Sequence, residues 1–232
     1  MDIIPVVDLM NGQVVHAKHG DRVNYRPIQS SLCASSAPLD IVKSLLELYP
    51  FKRLYIADIN AIQRRGNHTH IIQQIMDRYP SLELWLDAAI NETESAASWQ
   101  QQGIQCVIGS ESMIGLDDYQ AIQKALKNDF ALSLDFHTQH CLGPAELFTN
   151  VALWPDRVIA MTLDLVGSAS GPDTDKLYQL RSKHPQIYAA GGVRHFDDLR
   201  ALVKAGVAGV LVATLLHTGK LTASQIDDMS ST

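Results

Sequence analysis

Ile187-Tyr188-Ala189-Ala190-Gly191-Gly192-Val193 is an apolar run of strand length that ends in two glycines and opens onto the amphipathic stretch Phe196–Ala205. Paired glycines at such a junction let backbone N–H groups approach a ligand at a helix N-terminus, which favours an anion such as phosphate. The same pair also reads as a plain tight turn between strand and helix. Shifted by 103 residues without a gap, the chain lays Ala88-Ala89 on Gly191-Gly192, Gly103 on Gly206, Val107 on Val210 and Ser110 on Ala213. Both stretches read strand, turn, helix, glycine, strand, so the chain consists of two similar halves.

Working outward from that repeat, short apolar runs alternate with stretches of helical period along almost the whole length. Strands are predicted near residues 2–8, 53–58, 82–87, 104–110, 130–135, 157–163, 186–190 and 207–213. Helices are predicted over Leu39–Tyr49, His68–Tyr79, Glu92–Gln102, Asp117–Lys127, Pro144–Val151, Lys176–His184, Phe196–Ala205 and Thr222–Met229. Eight βα units in 232 residues imply an α/β fold, a TIM (βα)₈ barrel with internal half-barrel duplication, in a single domain spanning residues 1–232. The one long insertion, Leu9–Ala37, has Asn11-Gly12 between alternating residues, a hairpin signal, and is expected to form a lid.

Composition excludes several classes. A net charge of −6 without a lysine or arginine run argues against nucleic acid or an anionic membrane as partner. Cys33, Cys106 and Cys141 lie far apart with no metal-ligand spacing, so neither a disulfide framework nor a metal site is expected. The opening residues carry no signal-peptide pattern, and no apolar run nears the ~18 residues of a membrane span, so the expected location is cytoplasmic.

In such a barrel the strand C-termini share one face, and reactive side chains gather there. Acids close five of the strands: Asp8, Asp58, Asp87, Asp135 and Asp164. An aspartate at a strand end also caps the next turn, and Asp58 and Asp164 read equally well that way. Asp8 and Asp135 close strands 1 and 5, opposite members of an eight-strand ring, where one carboxylate can take a proton while the other gives one. Gly191, Gly192, Ala213 and Thr214 form the expected phosphate turn, since barrel phosphate sites commonly use the loops after strands 7 and 8. Ser110, His137 and Lys18 are further candidate substrate contacts, together with Asp58, Asp87 and Asp164. His140 reads as a bystander, and His68 and His70 as surface residues without a third metal ligand.

At this point the chain resembles a known family. Ile3-Ile4-Pro5-Val6-Val7-Asp8-Leu9, followed by Asn11-Gly12-Gln13-Val14-Val15 and Gly20-Asp21, resembles the opening of the histidine-biosynthesis phosphoribosyl isomerases. Arg53–Ala61 resembles their second strand, Leu134-Asp135 their fifth and Gly191-Gly192-Val193 their seventh, and the similarity continues through Gly219-Lys220. The resemblance implies an Amadori rearrangement of a small phosphorylated sugar-type substrate without a metal or organic cofactor. Asp8 would be the base and Asp135 the acid. It leaves the oligomeric state open.

Three stretches depart from the family pattern. Asp87-Ala88-Ala89-Ile90 stands where the family has a glycine-rich phosphate turn, Gly109-Ser110-Glu111 where it has Gly-Thr, and Leu165-Val166-Gly167-Ser168 where it has Arg-Asp-Gly-Thr. Two acids at the first-half anion position repel phosphate. They suit a substrate with one phosphate, or one with an amine or other cationic part. A paralogue catalysing condensation or cyclisation in a cofactor pathway, such as one-carbon cofactor synthesis, and a non-catalytic binder of a phosphorylated ligand are the alternatives to isomerisation.

Overall fold

A computed structural model of the protein describes residues 1–137, 140–168 and 170–230. Eight strands, β1 (Asp2–Met10), β2 (Arg53–Asp58), β3 (Glu83–Asp87), β4 (Gln105–Gly109), β5 (Ala131–His137), β6 (Arg157–Thr162), β7 (Ile187–Ala190) and β8 (Gly209–Val212), pair in parallel in that order. β8 returns to β1, with Val210 beside Ile3 and Leu211 beside Ile4, and the sheet closes into a TIM barrel. The strand ends lie within two residues of those expected from the sequence.

The helices between strands are α1 (Pro38–Leu48), α2 (Thr69–Arg78), α3 (Thr93–Gln101), α4 (Leu116–Ala125), α5 (Glu146–Thr149), α6 (Thr174–Arg181) and α7 (Phe196–Ala205), with α8 (Ala223–Ser230) at the C-terminus. Their boundaries follow local chemistry. Pro38 occupies the first turn of α1, Asp173 caps α6 by accepting from Lys176 N at 3.1 Å, and Gly206 ends α7 in the left-handed conformation. The helix expected over Pro144–Val151 is divided. The Asn150 side chain accepts from Ala152 N at 3.1 Å and starts a separate 3₁₀ turn, Val151–Leu153, because asparagine bonds its own backbone more readily than it continues a helix. None of the helices among the described residues is long and apolar enough to cross a membrane.

The core has two layers, sorted by the two-residue period of the strands. Ile4, Tyr55, Trp85, Val107, Ala131, Ile159, Tyr188 and Leu211 fill the barrel interior. Their neighbours, such as Ile3, Val7, Ile56, Leu86, Ile108 and Leu132, pack outward against the helices. This phase decides which strand-end acids reach the mouth. Asp8 is in phase with Ile4, Asp87 with Trp85 and Asp135 with Ala131, so all three point inward. Asp58 is in phase with Leu54 and Ile56 and turns into the helix layer, fully buried.

The insertion after β1 starts as the expected hairpin. Gln13–His16 runs back antiparallel to β1 with Asp8 opposite Val15, the turn residues Asn11 and Gly12 have φ of 51° and 79°, and Arg26–Pro27 pairs on the hairpin's outer edge. Asn-Gly suits such a turn because both central residues need positive φ.

Candidate active site

Asp8, Asp87, Asp135 and Glu111 line one cavity at the C-terminal face of the barrel, enclosing about 910 Å³ of empty space, open solvent included. Gly191, Gly192, Ala213 and Thr214 form its opposite wall. Arg22 supplies the only lysine or arginine side chain among the described residues that line it.

Each acid is held differently. Asp135 is 4% exposed and accepts three hydrogen bonds, from Ser133 Oγ at 2.7 Å, Ser110 Oγ at 3.1 Å and Glu111 N at 3.0 Å. Burial nevertheless dominates and pushes its pKa up to about 7, with the charges of Asp87 and Glu111 adding to the rise. Asp8 takes no hydrogen bond from the described residues; burial and the nearby Asp87 push it up to about 7, against the pull of Arg22. Asp87 accepts from Tyr55 Oη at 3.1 Å, and burial together with Glu111 raises it to about 6. Gly109 lies beside both Asp135 and Asp87. A Cβ there would touch both carboxyls, 3.4 Å from Asp135 Oδ2 and 3.7 Å from Asp87 Oδ2, so a side chain larger than a methyl would compete with them for the same space. Three acids sharing a low-dielectric cavity titrate as a coupled set.

The glycine turn after β7 is fixed by contact as well as by torsion. Gly191 and Gly192 have φ of 100° and 87°, and a Cβ on Gly192 would lie 2.1 Å from the Gly171 carbonyl oxygen. Its counterpart in the first half keeps the backbone shape without glycine: Ala89 sits at φ 53°, a conformation that costs a non-glycine residue about 1 kcal/mol or more. Gly192→Ala combines torsional strain with a backbone clash and is expected to lower stability by about 2–3 kcal/mol. Differential scanning calorimetry would register this as a fall in Tm of several degrees.

The lid crosses the mouth. His19 N donates to Val166 O at 2.8 Å, and a Cβ on Gly167 would meet the Ala17 carbonyl at 2.2 Å, so the lid lies directly on the loop after β6. Arg22, in the 3₁₀ turn Arg22–Asn24, forms an ion pair with Glu111 beyond β4. Tyr25 closes the gap over Asp8, and burial together with the Asp8 charge pushes its hydroxyl up to about 12.

Of the residues singled out from the sequence, Asp8, Asp87, Asp135, Gly191, Gly192, Ala213 and Thr214 meet at this cavity. Ser110 lies buried beneath it, bonded to Asp135. Asp58, Asp164, His137 and Lys18 do not line it. Asp58 caps the turn Ile59–Ile62 and binds His68, while the Asp164 carboxylate pairs with His137 Nε2 at 3.2 Å and its carbonyl lies 2.8 Å from the His19 ring of the lid. Lys18 projects into solvent. His68 is buried at 7% exposure rather than at the surface, because Asp58 accepts from its Nδ1 at 2.8 Å and its Nε2 accepts from Gly12 N at 2.9 Å. The sequence pattern does not single out Arg22, Tyr25 or Tyr55. Strand phase alone places Tyr55 in the interior with Asp87, whereas Arg22 and Tyr25 lie in an insertion whose path no periodicity reports.

A sequence model of the family described as "Histidine biosynthesis protein" matches residues 2–222. An uncharacterized protein of Methanocaldococcus jannaschii is 28% identical over 230 residues, covering 97% of each chain. The 1-(5-phosphoribosyl)-5-((5-phosphoribosylamino)methylideneamino) imidazole-4-carboxamide isomerase of Archaeoglobus fulgidus is 24% identical over 94% of this chain and 93% of its own. The isomerase of the same name from Roseiflexus castenholzii is 27% identical over 95% and 96%.

Proposed function

The chain belongs to the histidine biosynthesis protein family, and from that membership we propose that it is an isomerase converting a phosphoribosyl aminoaldose to an aminoketose through the pair Asp8 and Asp135. The observation that carries the reading is two inward carboxyls on opposite strands, both raised to about 7, in a cavity that also contains a glycine turn suited to phosphate. A group titrating near neutral pH can both hold and release a proton under working conditions.

The surroundings of the two acids suit different tasks. Asp8, raised to about 7 and with no donor on its carboxylate from the described residues, is free to turn towards C2 and remove its hydrogen. Asp135, its orientation fixed by Ser133, Ser110 and the Glu111 amide, can deliver a proton to one ring oxygen at a fixed position. Protonation of the ring oxygen by Asp135 opens the ring to the protonated Schiff base, removal of the C2 proton by Asp8 gives the enaminol, and return of a proton to C1 with loss of the C2 hydroxyl proton gives the aminoketose. The substrate phosphate would rest on the backbone amides at Gly191 and Gly192 and on the Thr214 hydroxyl.

The isomerase relatives are named for a compound with two phosphoribosyl groups. In this chain Asp87 and Glu111 occupy the corresponding first-half position, which favours a second reading of the substrate: one phosphate, with a non-phosphate group at the other end. Complementation separates the two. Growth of a strain lacking the histidine-pathway isomerase, restored by the natural chain and not by Asp8→Asn, supports the two-phosphate substrate. No restoration, together with amide shifts at Gly191 and Gly192 on adding inorganic phosphate, supports the one-phosphate substrate.

A further inference from the structure

The Arg22–Glu111 pair has a second face. On its outer side lies another chamber, about 540 Å³ of empty space with open solvent included, lined by Arg22, Arg64, Glu111, Ser112, Met113 and Ile114. Arg22 and Glu111 line both spaces, so the pair is the partition between them. The chamber sits above the ends of β2 and β4, near the first-half turn at Asp87 and Ala89.

The backbone of Arg64 is held in place while its side chain is not engaged. Its N donates to Ala61 O at 2.9 Å, Arg65 N donates to Asn60 O at 2.8 Å, and the Asn60 side chain accepts from Asn11 N at 3.0 Å, which ties this loop to the lid hairpin. Its φ is 56°. Among the described residues its guanidinium has no ion pair and no hydrogen bond. Two guanidinium groups and one carboxylate leave the chamber one positive charge in excess, the complement of a single negative charge. Met113 and the 79% exposed Ile114 give it an apolar side against which a carbon skeleton can lie.

We propose that this outer chamber binds a carboxylate at the far end of the substrate, with Arg64 as its main partner and Arg22 shared between it and Glu111. The inference rests on the phosphate end lying at Gly191 and Gly192. It replaces a backbone cradle for a phosphate dianion by a side-chain fork for a monoanion, and an arginine fork matches the two oxygens of a carboxylate.

The test uses the full-length chain and three series of synthetic probes of increasing length: ω-carboxyalkyl phosphates, alkyl phosphates and α,ω-alkyl bisphosphates. Nuclear magnetic resonance follows the Gly191 and Gly192 amides and the arginine Nε–H signals. At one length the carboxyalkyl phosphate should bind at least tenfold tighter than the alkyl phosphate and shift Arg64 Nε–H. In Arg64→Gln that advantage should vanish while alkyl phosphate binding stays unchanged. The proposal is overturned if no length shifts Arg64 Nε–H, if the advantage survives in Arg64→Gln, or if the bisphosphate binds tighter than the carboxyalkyl phosphate. Should Arg64 respond to the carboxylate while the Gly191 and Gly192 amides stay still, the chamber stands and the phosphate reading falls.

Discussion

Asp8→Asn is expected to lower turnover about 10²- to 10⁴-fold and, at the same time, to make the protein more stable at pH 8. Both effects come from one cause. Burial and Asp87 raise the Asp8 carboxyl from 3.8 to about 7, so the folded chain holds this proton more tightly than the unfolded chain does. That contribution to stability is complete below about pH 4 and is lost as the pH rises through about 7. Asp135, raised to about 7, and Asp87, raised to about 6, act in the same window and with the same sign. Histidines oppose them: burial lowers His217 from 6.5 to about 4, and lowers the more exposed His16 and His184 as well, so they cost stability as the pH falls below 6.5.

Three acids, two raised to about 7 and one to about 6, outweigh one buried histidine and two more exposed ones, and Tm of the natural chain should therefore be higher at pH 5 than at pH 8. A tenfold difference in proton affinity between the folded and unfolded chain is worth about 1.4 kcal/mol, and each kcal/mol about 2–4 °C in a chain of this size. Asn keeps the shape of Asp8 but carries no charge, so Asp8→Asn should raise Tm at pH 8 by several degrees and leave it nearly unchanged at pH 5. A thermal melt at the two pH values decides the matter; an unchanged or lower Tm at pH 8 would sink the account. Asp135→Asn should match the loss of turnover with a smaller gain in stability, since the change leaves the donors from Ser133, Ser110 and the Glu111 amide poorly matched.

The second large effect is structural. Asp58→Ala is expected to cost about 3–5 kcal/mol, because a fully buried carboxylate there satisfies Ala61 N at 3.1 Å, His68 N at 2.6 Å and His68 Nδ1 at 2.8 Å. His68 passes the constraint on. Its Nε2 accepts from Gly12 N, so Nδ1 carries the ring proton and donates to Asp58, and the hairpin tip is fastened to the loop after β2. Asp58→Asn retains one acceptor and should lose roughly half as much. Well below the lowered Tm, turnover should be close to that of the natural chain, which separates this role from catalysis. A proportionate collapse of turnover at low temperature would mean that Asp58 takes part in the reaction.

Asp8, Asp135 and the Gly191–Gly192 turn could be located from the sequence because they sit where regular strands end, and a regular strand has a countable length and phase. The same phase separates Asp58 from Asp87, although both read simply as acids closing a strand until each is set against its apolar neighbours. What periodicity could not reach is the path of Leu9–Ala37. Arg22 and Tyr25 meet the cavity only because His19 and Ala17 rest on the loop after β6, a contact between segments more than a hundred residues apart. His68 misleads for a related reason. Its polar surroundings in sequence suggest solvent, and only the partners Asp58 and Gly12 offset the cost of burying it.

The lid is secured at both ends, by hairpin pairing to β1 at its start and by Ser31 N donating to His217 O at 2.8 Å near its finish. A segment tethered in this way can open only by lifting its middle, which is held down by the charged contact of Arg22 with Glu111 and by the His19 amide. Added salt weakens the first of these fastenings and leaves the second intact. Ionic strength should thus act on how quickly ligands enter and leave, through the fraction of time the flap stands open, more than on the rearrangement that follows once it has shut.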